Sequence, residues 1–263
     1  MDGQGFNIDS VVEAHKVIYL DWSTHMRQGL IYDLPTRLFH WLFSGLFLTA
    51  FIIAKTVDDE SSFFSYHMLA GLTLGFVVIL RIAWGIFGTQ HARFSNFALN
   101  PSDLISYFKG ILSGDKRRWA GHNPASSWAA IVMMVLALGL GLTGYLMTSG
   151  PNKETFEDVH ELFANAFIVV AILHVAGIAL HTIRHQEMIG LSMINGKKSN
   201  ITAEQAIPSS RPGVGILFIG LAVVFGTYIF KNYDSQTRNL QAFGTTLHLG
   251  ETKGGGDHDG DDE

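Results

Sequence analysis

VHELFANAFIVVAILHVAGIALH, residues 159–181, decides the fold class. A bilayer's hydrocarbon core takes about 20 helical residues, and this run is comfortably long enough to cross it. It carries histidines at positions 160 and 174. Fourteen residues of α-helix turn through about 1400°, close to four whole turns, and rise about 21 Å. His160 and His174 therefore share one helical face at two depths. An ionisable side chain at membrane depth is costly and marks a functional position by default.

Working outward, the chain shows four more apolar segments: Phe39–Ala54, His67–Phe87, Trp128–Thr148 and Gly213–Phe230. Two are comfortable spans; the first and last are short but acceptable with anchors at their ends. In lipid the backbone must satisfy its own hydrogen bonds, and the period-two alternation of a barrel is absent, so all five are read as helices. The composition agrees: 48% of the 263 residues are hydrophobic and only 16% are charged, against roughly 25% charged in soluble domains. A net charge of −5 offers no basic surface for nucleic acid. With no cysteine, disulfides, iron–sulfur clusters, thiolate zinc sites and covalently attached c-type haem are excluded.

Lysine and arginine give the orientation. Before the first span, between the second and third, and after the fourth lie Lys16, Arg27, Arg37, Arg93, Lys109, Lys116, Arg117, Arg118, Arg184, Lys197, Lys198 and Arg211. The opposite side holds Lys55, Lys153, Lys231, Arg238 and Lys253 among an excess of acids, including Asp58, Asp59, Glu60, Glu154, Glu157 and Asp158. The expectation is a multi-pass protein of a bacterial inner membrane, its N-terminus cytoplasmic and its C-terminus periplasmic. Trp41, Trp84 and Trp128 fall near the inner interface.

This topology sorts the intramembrane histidines. The first span runs outward, so His40 lies near the inner side. The second and fourth run inward, so His67 and His160 lie near the outer side and His174 lies deep, level with His40. Four histidines become two pairs, His67 with His160 and His40 with His174. Two axial imidazoles hold one haem iron and leave no open position for oxygen. Gly71 and Gly75 follow His67 at helical spacing, where small residues let a flat porphyrin or another helix approach. Arg81 lies 14 residues past His67, on its face and level with the inner pair; a buried arginine needs an anion, and a haem propionate is one. Arg37, one turn before His40, is a second such candidate. His181 and His185 extend the stripe of His174 toward the inner surface, while His15, His25, His91 and His122 read as ordinary loop residues.

The runs YDLPTRLFHWLFSGLFL (Tyr32–Leu48), HMLAGLTLGFVVILRIAWGIFG (His67–Gly88) and His160–His181 resemble the first, second and fourth helices of the bacterial cytochrome b561 and nickel–iron hydrogenase b-type cytochrome family. The likeness covers about residues 32–190. It implies two non-covalent b haems on His40, His67, His160 and His174, quinone chemistry near one membrane face, and partners that are dehydrogenases, hydrogenases or c-type cytochromes. A fifth helix and an acidic tail follow the family core. The loop with RFSNFALNP (Arg93–Pro101) and GHNP (Gly121–Pro124) is longer than in the minimal stand-alone b561 and is more like members that work beside a multihaem or dihaem c-type cytochrome.

The expected architecture is an all-α membrane protein: a four-helix haem-binding transmembrane bundle plus a fifth, peripheral transmembrane helix. Residues 1–33 form a cytoplasmic segment, with a short surface helix at 8–20. Residues 34–190 form the di-haem bundle, including a cytoplasmic loop at 88–124. Residues 191–231 are a linker and the fifth helix, and 232–263 an outer, acidic, largely disordered tail. The expected function is electron transfer between the quinone pool and a periplasmic c-type cytochrome or a dehydrogenase or hydrogenase subunit. Arg37, His181 and His185 are the candidates for the quinone site. Two alternatives stand beside it: a stand-alone oxidoreductase passing electrons from a small diffusible donor to quinone, and a non-redox, histidine-rich transporter.

Overall fold

The computed structural model describes residues 27–249 apart from 116, 118 and 150–152. The surface helix expected at 8–20 and the tail beyond 249 lie outside the described residues. Five long apolar helices are present: α1 (Leu34–Thr56), α2 (Ser65–Phe87), α4 (Pro124–Ser149), α5 (Lys153–His185) and α7 (Pro212–Lys231). Two shorter ones, α3 (Pro101–Ser113) and α6 (Ser192–Asn195), lie in the connections. The long helices turn apolar side chains outward: Ile172, Leu173 and Val175 of α5 are 62%, 66% and 64% exposed. Five such helices, apolar on their outer surfaces, make a multi-pass membrane protein.

Helices α1 and α2 form one antiparallel pair and α4 and α5 another, with α2 also packed on α4. Phe43, Phe47, Leu74, Val78, Met134, Ala137 and Phe167 fill the centre. α7 lies outside, in the groove between α1 and α2, where Phe218 and Ala222 meet Val77. Its start is pressed close: a Cβ on Gly215 would come within 2.7 Å of the Leu34 side chain. The fifth helix is thus peripheral to the four-helix bundle.

The basic end of the bundle is organised around Asp33. It is fully buried and N-caps α1, its Oδ1 accepting from Thr36 N at 2.9 Å. Its Oδ2 accepts from Trp84 Nε1 at 3.0 Å and Thr89 Oγ1 at 2.6 Å, tying the start of α1 to the end of α2. Strand β1 (Arg27–Leu30) pairs antiparallel with β2 (Lys197–Ile201), so the linker after α5 returns to the start of α1.

At the acidic end the structure corrects the expectation of a largely disordered tail from residue 232. Strands β3 (Tyr233–Asp234), β4 (Asn239–Ala242) and β5 (Thr245–His248) form an antiparallel meander. Phe243 and Gly244, both at positive φ, turn β4 into β5. Leu240, Ala242 and Leu249 are buried against Leu69 of α2 and Ile229 of α7. Ser65 Oγ donates to Leu249 O at 2.5 Å, and the Arg238 guanidinium donates to Glu60 O. Leu240 and Ala242, two apart on β4, and Leu249 after β5 supply the burial that a solvated tail would lack.

Candidate functional site

Two groups of histidines lie along the bundle. At the acidic end the His67 and His160 rings stand 6.0 Å apart between centroids, at 66° to each other. His67 Nδ1 donates to Ala50 O at 2.8 Å. His160 Nδ1 lies 2.9 Å from Thr143 Oγ1, whose own hydroxyl is directed to Gly139 O and Leu140 O. With that hydroxyl hydrogen engaged, the bond runs from Nδ1–H to oxygen. Both rings then carry their lone pair on Nε2, the arrangement of a metal-binding imidazole held through its other nitrogen. Two imidazoles bound to one metal at about 2 Å each would place their centroids roughly 6 Å apart, so the pair fits a bis-imidazole iron.

Toward the basic end, His40 and His174 line one cavity of about 1100 Å³ and lie near enough to interact electrostatically. His67 is level with Ala50 of α1, ten residues beyond His40, which is a rise of about 15 Å. Between the two stations Phe167 stacks on Phe47 at 3.7 Å and leans on Phe43 at 5.6 Å. The helices that carry each histidine pair, α1 with α5 and α2 with α5, are not among the close-packed neighbours in the bundle. Between α1 and α5 that separation opens into the cavity which His40 and His174 line. A Cβ on Gly71 or Gly75 would meet nothing within 4 Å, so neither serves close helix packing. Gly144, which the sequence did not single out, would bring a Cβ within 3.6 Å of the His160 ring.

Arg81 is only 3% exposed and lines the same cavity. Its Nη2 donates to Ala92 O at 2.9 Å, while its buried Nη1 has no hydrogen-bond partner among the described residues. Phe94 lies 4.9 Å from its guanidinium carbon. A buried guanidinium nitrogen without an acceptor, at the edge of a cavity, fits a carboxylate-bearing ligand. His181 and His185 also line this cavity, their rings stacked at 4.3 Å. Arg37 does not line it: Nη1 donates to Ile194 O at 2.5 Å, and beside it Trp41 Nε1 donates to Met193 O at 3.0 Å. Both side chains fasten α6 to α1.

The structure adds residues that sequence reasoning passed over. His122, read as a loop residue, borders the cavity with Lys198, which is 6% exposed. Burial first, and then the positive neighbours Arg81, His91, His174 and Lys198, push the His122 imidazole down to about 3. Helix α3 supplies a further wall: Tyr107 lines the cavity, and burial raises its phenol above the usual range. Arg184 anchors the end of that helix through Ile111 O at 2.6 Å and Asp115 O at 2.5 Å. The signal for His122 was its place two residues before the first turn of α4; Lys198 gave none, because only the β1–β2 pairing carries it inward.

A family model described as prokaryotic cytochrome b561 matches residues 31–196, which include every histidine of the two stations. The chain is 25% identical over 210 residues to a probable Ni/Fe-hydrogenase B-type cytochrome subunit from Rhizobium leguminosarum bv. viciae, an alignment covering 64% of this chain and 87% of that one. No solved structure is matched.

Proposed function

The chain belongs to the prokaryotic cytochrome b561 family, and from that premise we propose that it joins the quinone pool to a redox partner at the acidic end of its bundle by way of two b haems. It is a b-type cytochrome, a multi-pass membrane protein of transmembrane electron transfer. The observation that carries the finer proposal is the pair of imidazole stations at two depths of one bundle. Haem b, when bound, supplies a reversible one-electron centre at its iron.

The chain's own residues do the rest. His67 and His160 hold one group, their tautomers set by Ala50 O and Thr143 Oγ1; His40 and His174 hold the other. Gly71, Gly75 and Gly144 leave space beside the outer pair. Phe43, Phe47 and Phe167 keep water out of the middle of the bundle. Arg81 holds a carboxylate of the inner group. Quinone binds in the inner part of the large cavity, where His181 and His185 meet its carbonyls and exchange protons; an imidazole suits this because its ordinary pKa lies near neutrality. A smaller cavity of about 250 Å³ shares Trp119, His181 and Lys198 with the large one and is also lined by Glu187. Arg37 supports this end indirectly, by holding α6. The basic end is cytoplasmic and the acidic end periplasmic.

Anaerobic mixing of the purified protein with a quinol tests this. Both b-type components should be reduced, and His181→Ala should slow that reduction at least tenfold while dithionite still reduces the protein fully. A protein that dithionite reduces but no quinol does would overturn the quinone assignment.

The partner at the acidic end is expected to be basic. Asp58, Asp59 and Glu60 are exposed just before His67, and Glu154, Glu157 and Asp158 just before His160. Such a charge field acts mainly on association rate and fades as salt shortens the Debye length to about 8 Å at physiological strength. Neutralising Asp58, Asp59 and Glu60 together should slow electron exchange with a basic c-type cytochrome severalfold at low salt and leave both haem spectra unchanged. Stopped-flow rates that ignore both salt and these substitutions would remove the steering claim.

A further inference from the structure

We propose that Ser65 is a positioning residue for the outer haem: through it the C-terminal meander clamps the first turn of α2 and fixes the aim of His67. This rests on the di-haem proposal above. The meander lies beyond residues 31–196 that match the family, and none of the chemistry inferred from the helices called for it.

His67 is the third residue of α2, so it stands on the first turn of that helix. The first N–H groups of a helix have no acceptor within it, and an unfastened end opens more readily than the middle. A side-chain cap is the ordinary remedy, and α1 and α3 have one in Asp33 and Asn100. α2 has none: its N-cap residue is Phe64, which makes no capping bond. The turn that carries a proposed haem ligand is therefore not fastened by a cap of its own.

The meander supplies the hold. Ser65 is fully buried, and its Oγ donates to Leu249 O at 2.5 Å. Tyr233 of β3 meets the next residue, Tyr66, edge to face at 6.4 Å. The Arg238 guanidinium donates to Glu60 O, in the turn that leads toward the helix. Further along α2, Leu69 packs against Leu240 and Leu249. The segment 233–249 thus grips the chain on both sides of His67. Ser65 and Leu69, four residues apart, share the gripped face of the helix. His67, two residues on from Ser65, lies about 200° round the axis from it. There its ring stands 6.0 Å from that of His160 and its Nδ1 donates to Ala50 O. Grip and ligand occupy opposite sides of one turn. Ala50 O orients the ring, and Ser65 holds the backbone from which the ring projects. Bonds that support a ligand in this way set its orientation and its grip on the metal.

A haem with two axial imidazoles binds carbon monoxide only when one of them lets go, since neither axial position is otherwise open. The experiment measures carbon monoxide binding to the reduced protein and electron paramagnetic resonance g values of the oxidised protein, on purified full-length holoprotein as wild type and Ser65→Ala. In Ser65→Ala the component that His67→Ala removes should bind carbon monoxide at least about threefold faster, the scale of one lost hydrogen bond. Its low-spin g values should move, and the other component should keep its own. Where the two readouts differ, the carbon monoxide rate decides. An unchanged rate in Ser65→Ala with both haems retained would overturn the proposal and leave the di-haem proposal standing. Equal changes in both components would show a general loosening of the bundle and overturn it as well. A wild type without two b haems would instead overturn the di-haem proposal itself. If Ser65→Ala does not assemble, Leu249→Ala decides, because it thins the same contact: an outer component with an unaltered rate there overturns the proposal.

Discussion

His67→Ala and His160→Ala should each yield a folded protein with half the wild-type haem, and both should lack the same spectral component. The two side chains come from α2 and α5, yet their rings are 6.0 Å apart with both Nδ1 atoms engaged. If the pair holds one haem, losing either ring would deprive that haem of one of its two protein ligands. His40→Ala and His174→Ala should remove the other component, because those rings share the inner cavity. Phe43, Phe47 and Phe167 pack between the stations, so either should be lost without the other. Reduced-minus-oxidised spectra of the four variants check this. If His67→Ala and His40→Ala abolished the same component, the pairing across antiparallel helices would be wrong.

Asp33→Ala should destabilise the protein by about 3 kcal/mol, the sum expected for a lost N-cap and buried donors left unmade. Asp33 is fully buried and serves three donors on two helices. Alanine strands the Trp84 indole N–H and the Thr89 hydroxyl, and uncaps α1 seven residues before His40. Asp33→Asn should cost less. Its oxygen can still cap α1, while its amide would face Trp84 and Thr89 with donors instead of an acceptor. Thermal unfolding in detergent, followed through the haem bands, should rank the proteins wild type, Asn, Ala in falling stability. An alanine variant as stable as wild type would show that the contact between the ends of α1 and α2 carries little.

The spans are legible in the sequence because hydropathy is a local property. His67–Phe87 differs from α2 by two residues. Phe39–Ala54 is shorter than α1 because Asp33 and Pro35 start the helix before its apolar run begins. Val159–His181 is shorter than α5, whose first turns are charged and stay helical beyond the apolar stretch. The 14-residue spacing of His160 and His174 is equally local, and with antiparallel topology it suffices to bring His160 opposite His67. What escapes a local reading is what depends on long-range pairing. Lys198 is an unremarkable basic residue until β2 finds β1. Leu240 and Leu249 mean little until α2 and α7 offer Leu69 and Ile229. Arg37 is well spaced to reach the cavity from α1, but α6 presents Ile194 O first.

Haem quantification with a reduced-minus-oxidised spectrum of the purified protein bears most directly on the central claim. Four histidines at two depths of one bundle predict two non-covalent b haems per chain, both low-spin with bis-imidazole spectra. One haem per chain, or none, in well-folded material would contradict it.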